Sequence, residues 1–168
     1  DGSAFDTDFV HPRWTKADLE RAYGAPVYSL SLNENCIDLI VGAGARPGEP
    51  ASLRIEPDVG AFEIDHRMTT TERETAHVIG AWRARGAKRI AVEGRFWTGA
   101  GSRTITLPVE RPDRVYHLAI AKVFEQEGLA IAGEVRLATE RVDRDGLYRV
   151  DVHRTGLGPV FEVLAKES

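Results

Sequence analysis

The chain has 168 residues, of which 42% are hydrophobic and 29% charged, with a formal charge of −4. That length suits one domain or two small ones with a real core, and the acidic balance argues against a nucleic-acid or anionic-membrane surface. Its lone cysteine, Cys36, excludes an intrachain disulfide and a cysteine-based metal framework, and no apolar run approaches the about 18 residues of a membrane span.

In chain order, residues 1–13 are acidic and aromatic and read as a loop, with Pro12 opposing any helix there. Residues 15–22 predict a short helix, with Thr15 as its N-cap and Gly24 as its stop. Two strand-like runs follow, 27–32 and 36–41, and Asn33-Glu34-Asn35 between them predicts a hairpin. Cys36 opens the second run, so a buried, inert thiol is expected. Residues 42–50, GAGARPGEP, hold three glycines and two prolines and make the clearest boundary. They are not a phosphate loop, because no Gly-Lys-Ser/Thr follows and the next element reads as a strand.

From Ala51 the pattern is strand after strand. Leu53 and Ile55 alternate in one, Phe62 and Ile64 in the next, with 68–71 as its polar, β-branched tail. Further strands are expected at 76–82, 89–97 and 104–109, punctuated by Pro57-Asp58, Arg85-Gly86 and Gly99-Ala100-Gly101. This spacing suits a small sandwich or barrel. Trp82 and Trp97 read as core or sheet-surface anchors, and His66 and His77 as structural.

Residues 111–128 are the one long amphipathic segment before the C-terminal part. Tyr116, Ala119, Ile120, Val123 and Phe124 fall on one stripe, Pro112-Asp113 marks the start and Gly128 the stop. Such a stripe requires burial, so a sheet is expected to rest on it. The resulting fold class is α+β and β-rich: a sheet packed on one long helix, with a nested small all-β domain. Beyond the helix come strands at 133–137 and 147–153 around a turn at 143–146. A final apolar stripe starts with Phe161, Leu164 and Ala165 and stops at the chain end, the expectation for an excised fragment.

No complete catalytic constellation is written in these residues. Asp6, Asp8 and His11, with His66 further on, allow a metal-hydrolase reading, but no second cluster at ligand spacing supports it, so neither metal nor cofactor is expected. The arginine excess (lysine stands only at 16, 88, 122 and 166) reads as compositional bias.

Several stretches, taken in order, resemble one family: Asp1-Gly2-Ser3-Ala4-Phe5-Asp6, the Trp14 region, Asn33-Glu34-Asn35, the Pro47-Gly48 bend, the β-rich insert, YHLAIAKVFEQEGLAIAGEV from Tyr116, and the ending Ala165-Lys166-Glu167-Ser168. Together they are similar to the middle of a D-alanyl-D-alanine carboxypeptidase/endopeptidase of the penicillin-binding protein 4 type. The resemblance implies a periplasmic or cell-envelope serine hydrolase acting on peptidoglycan stem peptides. Its serine lies in Ser-x-x-Lys, with Ser-x-Asn and Lys-Thr-Gly completing the site, and two extra domains are inserted between the first and second motifs.

The residues three before each lysine are Arg13, Arg85, Ala119 and Val163, and no lysine precedes Thr-Gly. Ser168 falls where the Ser-x-Asn serine would stand, without its asparagine. Nucleophilic catalysis requires an activating base beside the nucleophile, so the chain alone is expected to be inactive. The resemblance also implies a layout: 1–44 with 107–138 as an insertion domain, 45–106 as a nested all-β domain, and 139–168 as the return into a catalytic domain. Peptidoglycan peptides would be met through that absent domain. The alternative from a different class is an autonomous β-rich binding or structural module.

Overall fold

The computed structural model describes residues 10–130, 132, 145 and 146. Six strands and one long helix make up the regular structure: β1 (Cys36–Gly42), β2 (Ser52–Glu56), β3 (Glu63–Thr71), β4 (Val78–Trp82), β5 (Arg89–Trp97), β6 (Ser102–Pro108) and α1 (Pro112–Gln126). The expected class therefore stands, as a strand-rich α+β fold with two small sheets and one long helix.

The first sheet has the order β2–β1–β6, antiparallel throughout, with Leu39 opposite both Ile55 and Ile105. The second is mixed, in the order β3–β5–β4, with β3 parallel and β4 antiparallel to β5. Alternation along the strands sends Ile37, Leu39 and Val41 of β1 inward, together with Ile90, Val92 and Phe96 of β5. These residues share one hydrophobic cluster with Met68, Ala51, Val109 and Val115, so both sheets contribute to a single core. Gly94 occupies the remaining inward position of β5. Its φ is +126°, and a Cβ there would stand 2.0 Å from the Val78 carbonyl oxygen, so close approach of β4 depends on glycine.

The run 27–32 is not a strand, and the expected hairpin is absent. Both edges of β1 are already occupied, by β2 and β6, which leaves that run no ladder to join. Asn33, Glu34 and Asn35 all have left-handed backbone, with φ of 49°, 54° and 57°. Asparagine tolerates this conformation better than most residues. Buried Asn35 fixes the bend: its Nδ2 donates to the Pro26 carbonyl at 2.8 Å, and its own carbonyl accepts from Val109 N–H at 2.8 Å.

Residues 68–71, expected as a polar strand tail, belong to the interior of β3, with Met68 and Thr70 1% and 3% exposed. The glycine-rich loop 42–50 is bonded along that strand. Gly44 N–H donates to Thr70 Oγ1 at 2.8 Å, Gly48 N–H to Thr70 O at 2.9 Å and Ala51 N–H to Met68 O at 3.0 Å. The loop thereby ties the strand before it to the second sheet.

The helix starts at Pro112, as its sequence predicts, and Gly128 follows its end with φ +67°. Only Pro112, Asp113 and Val115 in its first turn are buried. Val115 joins the core cluster, whereas Val123 is 48% exposed and Leu118 36%. A sheet resting along the whole stripe is therefore not what the described residues form. The helix is anchored at its N-terminal end, and further along Lys122 Nζ donates to the Asp58 carbonyl at 2.5 Å. Among the described residues no helix is long and apolar enough to cross a membrane. The strands expected at 133–137 and 147–153, the C-terminal stripe and the segment 139–168 apart from Asp145 and Gly146 lie outside the described residues.

Candidate functional site

The residues singled out for chemistry do not assemble into a reactive centre. Ser168, Asp6 and Asp8 lie outside the described residues. His11 is exposed, and its Nδ1 accepts a hydrogen bond from Arg13 N–H at 3.2 Å. Among the described residues no three His, Cys, Asp or Glu side chains group as metal ligands.

His66 faces the core side of β3, and its Nε2 donates to the Ala51 carbonyl at 2.7 Å, while buried Nδ1 has no partner. His77 Nδ1 accepts from Trp97 N–H at 3.0 Å, and its ring meets Phe96 edge-on at 5.0 Å. Both contacts hold chain segments together. Cys36 is 3% exposed, and burial, followed by Asp38 and Glu34, pushes its thiol up to about 11. At neutral pH it is therefore a protonated, weakly nucleophilic group.

A different feature emerges where the N-terminal turns meet the sheets. The predicted helix at 15–22 is replaced by two 3₁₀ turns, Asp18–Glu20 and Ala22–Gly24, lying against β6. Their start is set by a reciprocal pair. Thr15 N–H and Oγ1–H donate to Asp18 Oδ2 at 2.8 and 2.7 Å, and Asp18 N–H returns to Thr15 Oγ1 at 3.3 Å. Tyr23 O–H adds a 2.9 Å bond to Asp18 Oδ1. The Thr15 bonds, reinforced by Tyr23, hold the Asp18 carboxyl below the usual carboxylate range.

An open groove of about 1120 Å³ runs between these turns, the end of β4 and the strand β6. Its basic side chains are Lys16, Arg21, Arg83, Arg85 and Arg111, against the carboxylates of Glu20 and Glu110. Trp82, 58% exposed, stands on its border.

Arg83 is the structural member of this set. Its Nη2 donates to the Pro108 carbonyl at 3.0 Å and lies 3.5 Å from Glu110, and its guanidinium sits 5.2 Å from the Phe62 ring centroid. Burial lowers its pKa from the usual value, against the opposing charge of Glu110. Glu110 also accepts from Gly86 N–H at 2.9 and 3.1 Å, which closes the bend after β4. Lys16, Arg21 and Arg85 are exposed and have no ion-pair partner among the described residues. Sequence reading passed over this groove because its cations are scattered, although Arg83, Arg85, Lys88 and Arg89 crowd one short stretch.

A family model described as D-Ala-D-Ala carboxypeptidase 3 (S13) matches residues 1–154. The chain belongs to the S13 family. Its fold is similar to part of penicillin binding protein 4 from Haemophilus influenzae, with a TM-score of 0.52 and 16% identity over 77% of this chain and 28% of that one. A second structure of that protein, complexed with a β-lactam, gives a TM-score of 0.51 and 15% identity over 69% of this chain and 27% of that one. No curated protein matches. This S13 chain thus spans little more than a quarter of the solved structures it resembles.

Proposed function

We propose that this S13 chain is the non-catalytic insertion region of a serine-type D-Ala-D-Ala carboxypeptidase/endopeptidase. The parent enzyme would act on peptidoglycan stem peptides during cell-wall remodelling, in the periplasm or cell envelope. The observation that carries this reading is a family match over residues 1–154 in a sequence with neither Ser-x-x-Lys nor Lys-Thr-Gly. In that setting Ser168 is the first residue of a Ser-x-Asn motif, and 139–168 lead back toward the catalytic domain.

The layout, with 1–44 and 107–138 enclosing 45–106, is then one of chain order rather than of separate cores, since β1 and β2 pair across the division. An inserted unit with its own continuous core keeps its shape independently of the catalytic domain, and it would flank the substrate cleft as a fixed wall. The same continuous core favours the second reading, an autonomous β-rich binding or structural module, to the extent that the unit folds by itself.

Extending the reading frame at both ends separates the two. Ser-x-x-Lys upstream of Asp1 and Asn two residues after Ser168 are expected, and the extended product is expected to be acylated by a labelled penicillin while the 168-residue chain is not. An extended frame lacking both motifs would favour the autonomous module. Stoichiometric labelling of this chain alone would overturn the assignment as non-catalytic.

A further inference from the structure

We propose that the groove between the N-terminal 3₁₀ turns, β4 and β6 binds a carboxylate-bearing peptide attached to sugar, namely the stem-peptide portion of peptidoglycan. The inference rests on the functional reading above and deepens it by giving the insertion a binding surface of its own.

Charge is the first argument. The whole chain carries −4, yet this groove gathers five cations against two carboxylates. Arg83 and Glu110 satisfy each other and form the rigid floor. Arg111 is engaged by Asp113. Lys16, Arg21 and Arg85 are left as exposed cations without an ion-pair partner among the described residues, at the rim where an incoming carboxylate would meet them. Clustered charge of one sign at a concave rim attracts and orients an oppositely charged ligand.

The second argument is Trp82. A tryptophan 58% exposed at the end of a strand forfeits most of its burial free energy, and its face is available to the apolar face of a sugar ring or a peptide side chain. A simple inorganic anion has no use for such a platform. A nucleic acid would require a basic excess that the chain as a whole lacks. Third, β4 lies at one edge of its sheet, so its outer backbone groups offer hydrogen bonds to an extended peptide running past Ala81 and Trp82. Cation rim, aromatic platform and strand edge converge on one ligand class.

The test measures binding of the 168-residue chain to sonicated, solubilised peptidoglycan, before and after its carboxyl groups are amidated. Retention is expected for the untreated material, with at least a tenfold loss on amidation, as for removal of desolvated charge pairs (about tenfold or more). Arg21→Glu with Arg85→Glu is expected to give a comparable loss, and Trp82→Ala a several-fold loss. Arg103→Glu, on β6 and outside the groove, is expected to leave binding unchanged. Should Arg21→Glu alter the melting curve, Lys16→Glu replaces it.

Absence of binding, indifference to amidation, or unchanged binding by the double charge reversal would each overturn the proposal. Equal retention on heparin would mean general attraction to polyanions and would overturn it as well. Penicillin acylation of the extended gene product reads the family assignment independently. Acylation without any groove effect would sink the groove and leave that assignment standing.

Discussion

Arg83 reaches from the end of the second sheet to Glu110, just past the end of the first, with its Nη2 3.5 Å from the carboxylate and 3.0 Å from the Pro108 carbonyl. The guanidinium side chain is only 11% exposed, so its donors are largely committed to protein acceptors. Replacing it with alanine strands a carbonyl and a partly buried carboxylate, and a destabilisation of about 2–4 kcal/mol is expected. Arg83→Lys is expected to recover little, because one ammonium cannot reproduce a planar fork that also bonds Ala87 O at 3.3 Å. Urea unfolding of the two variants beside the parent chain measures this. Equal midpoints would show that the latch contributes nothing.

The β-rich region was legible in the sequence where alternation was clean. Arg89–Trp97 forms a strand with the bounds its pattern implies, and Leu53 and Ile55 sit as read. The misreadings share a cause: pairing is a property of the sheet and not of the run. The alternating segment 27–32 looks like a strand, yet β1 takes its neighbours from 52–56 and 102–108, far along the chain. Conversely, polar Thr70 is buried because its hydroxyl satisfies Gly44 N–H, a contact no local pattern announces. The groove was illegible for a similar reason. Arg21, Arg83 and Arg111 are far apart in sequence, and only the packing of the 3₁₀ turns on β6 brings them to one surface.

The helix offers a graded test of how it is attached. Val115 is 5% exposed within the core cluster, whereas Val123, two turns on, is 48% exposed. Val115→Asp would bury a carboxylate without a partner and is expected to unfold the chain, a loss of at least about 3–4 kcal/mol. Val123→Asp is expected to stay within about 1 kcal/mol of the parent. Thermal unfolding followed by circular dichroism decides between this picture and a helix buried along its full stripe, for which both variants would fail together.

Asp113 ties acid stability to the start of the same helix. It is 6% exposed; Arg111 Nε donates to its Oδ1 at 2.9 Å, and Arg111 Nη2 to its Oδ2. Burial alone would raise its pKa, but the Arg111 hydrogen bonds and charge, with help from Arg114, hold it below the ordinary 3.8. A depressed folded-state value means that the pair stabilises the fold above the unfolded-state pKa. That contribution fades as pH falls through the folded-state value. Asp113→Asn is therefore expected to cost about 1–3 kcal/mol at pH 7 and progressively less below pH 3.8. Chemical-denaturation midpoints across that range give the answer. A gap between the two proteins that widens toward acid would reverse the sign assigned here.

Cys36 provides a chemical readout of the intact core edge. Its sulfur is buried at the first residue of β1, 3.9 Å from the Ala22 carbonyl oxygen, and its pKa is raised to about 11. Thiol-alkylating reagents attack the thiolate and need access to it. In the native chain at pH 7 both conditions fail, so modification by iodoacetamide is expected to be slower than in urea by about 10²-fold or more, the suppression that a pKa more than two units above that of a free thiol (about 8.5) produces even before access is counted. Because Ala22 belongs to the turn beside the groove, detaching the N-terminal segment is expected to expose this sulfur first. Tyr23→Phe removes one of the bonds to Asp18 that hold the turn, and is expected to speed labelling without changing the unfolding midpoint by more than about 1 kcal/mol. Mass spectrometry of timed samples follows the reaction. Rapid labelling of the native parent chain would contradict the buried placement of Cys36 and, with it, the packing of the 3₁₀ turns against the sheet.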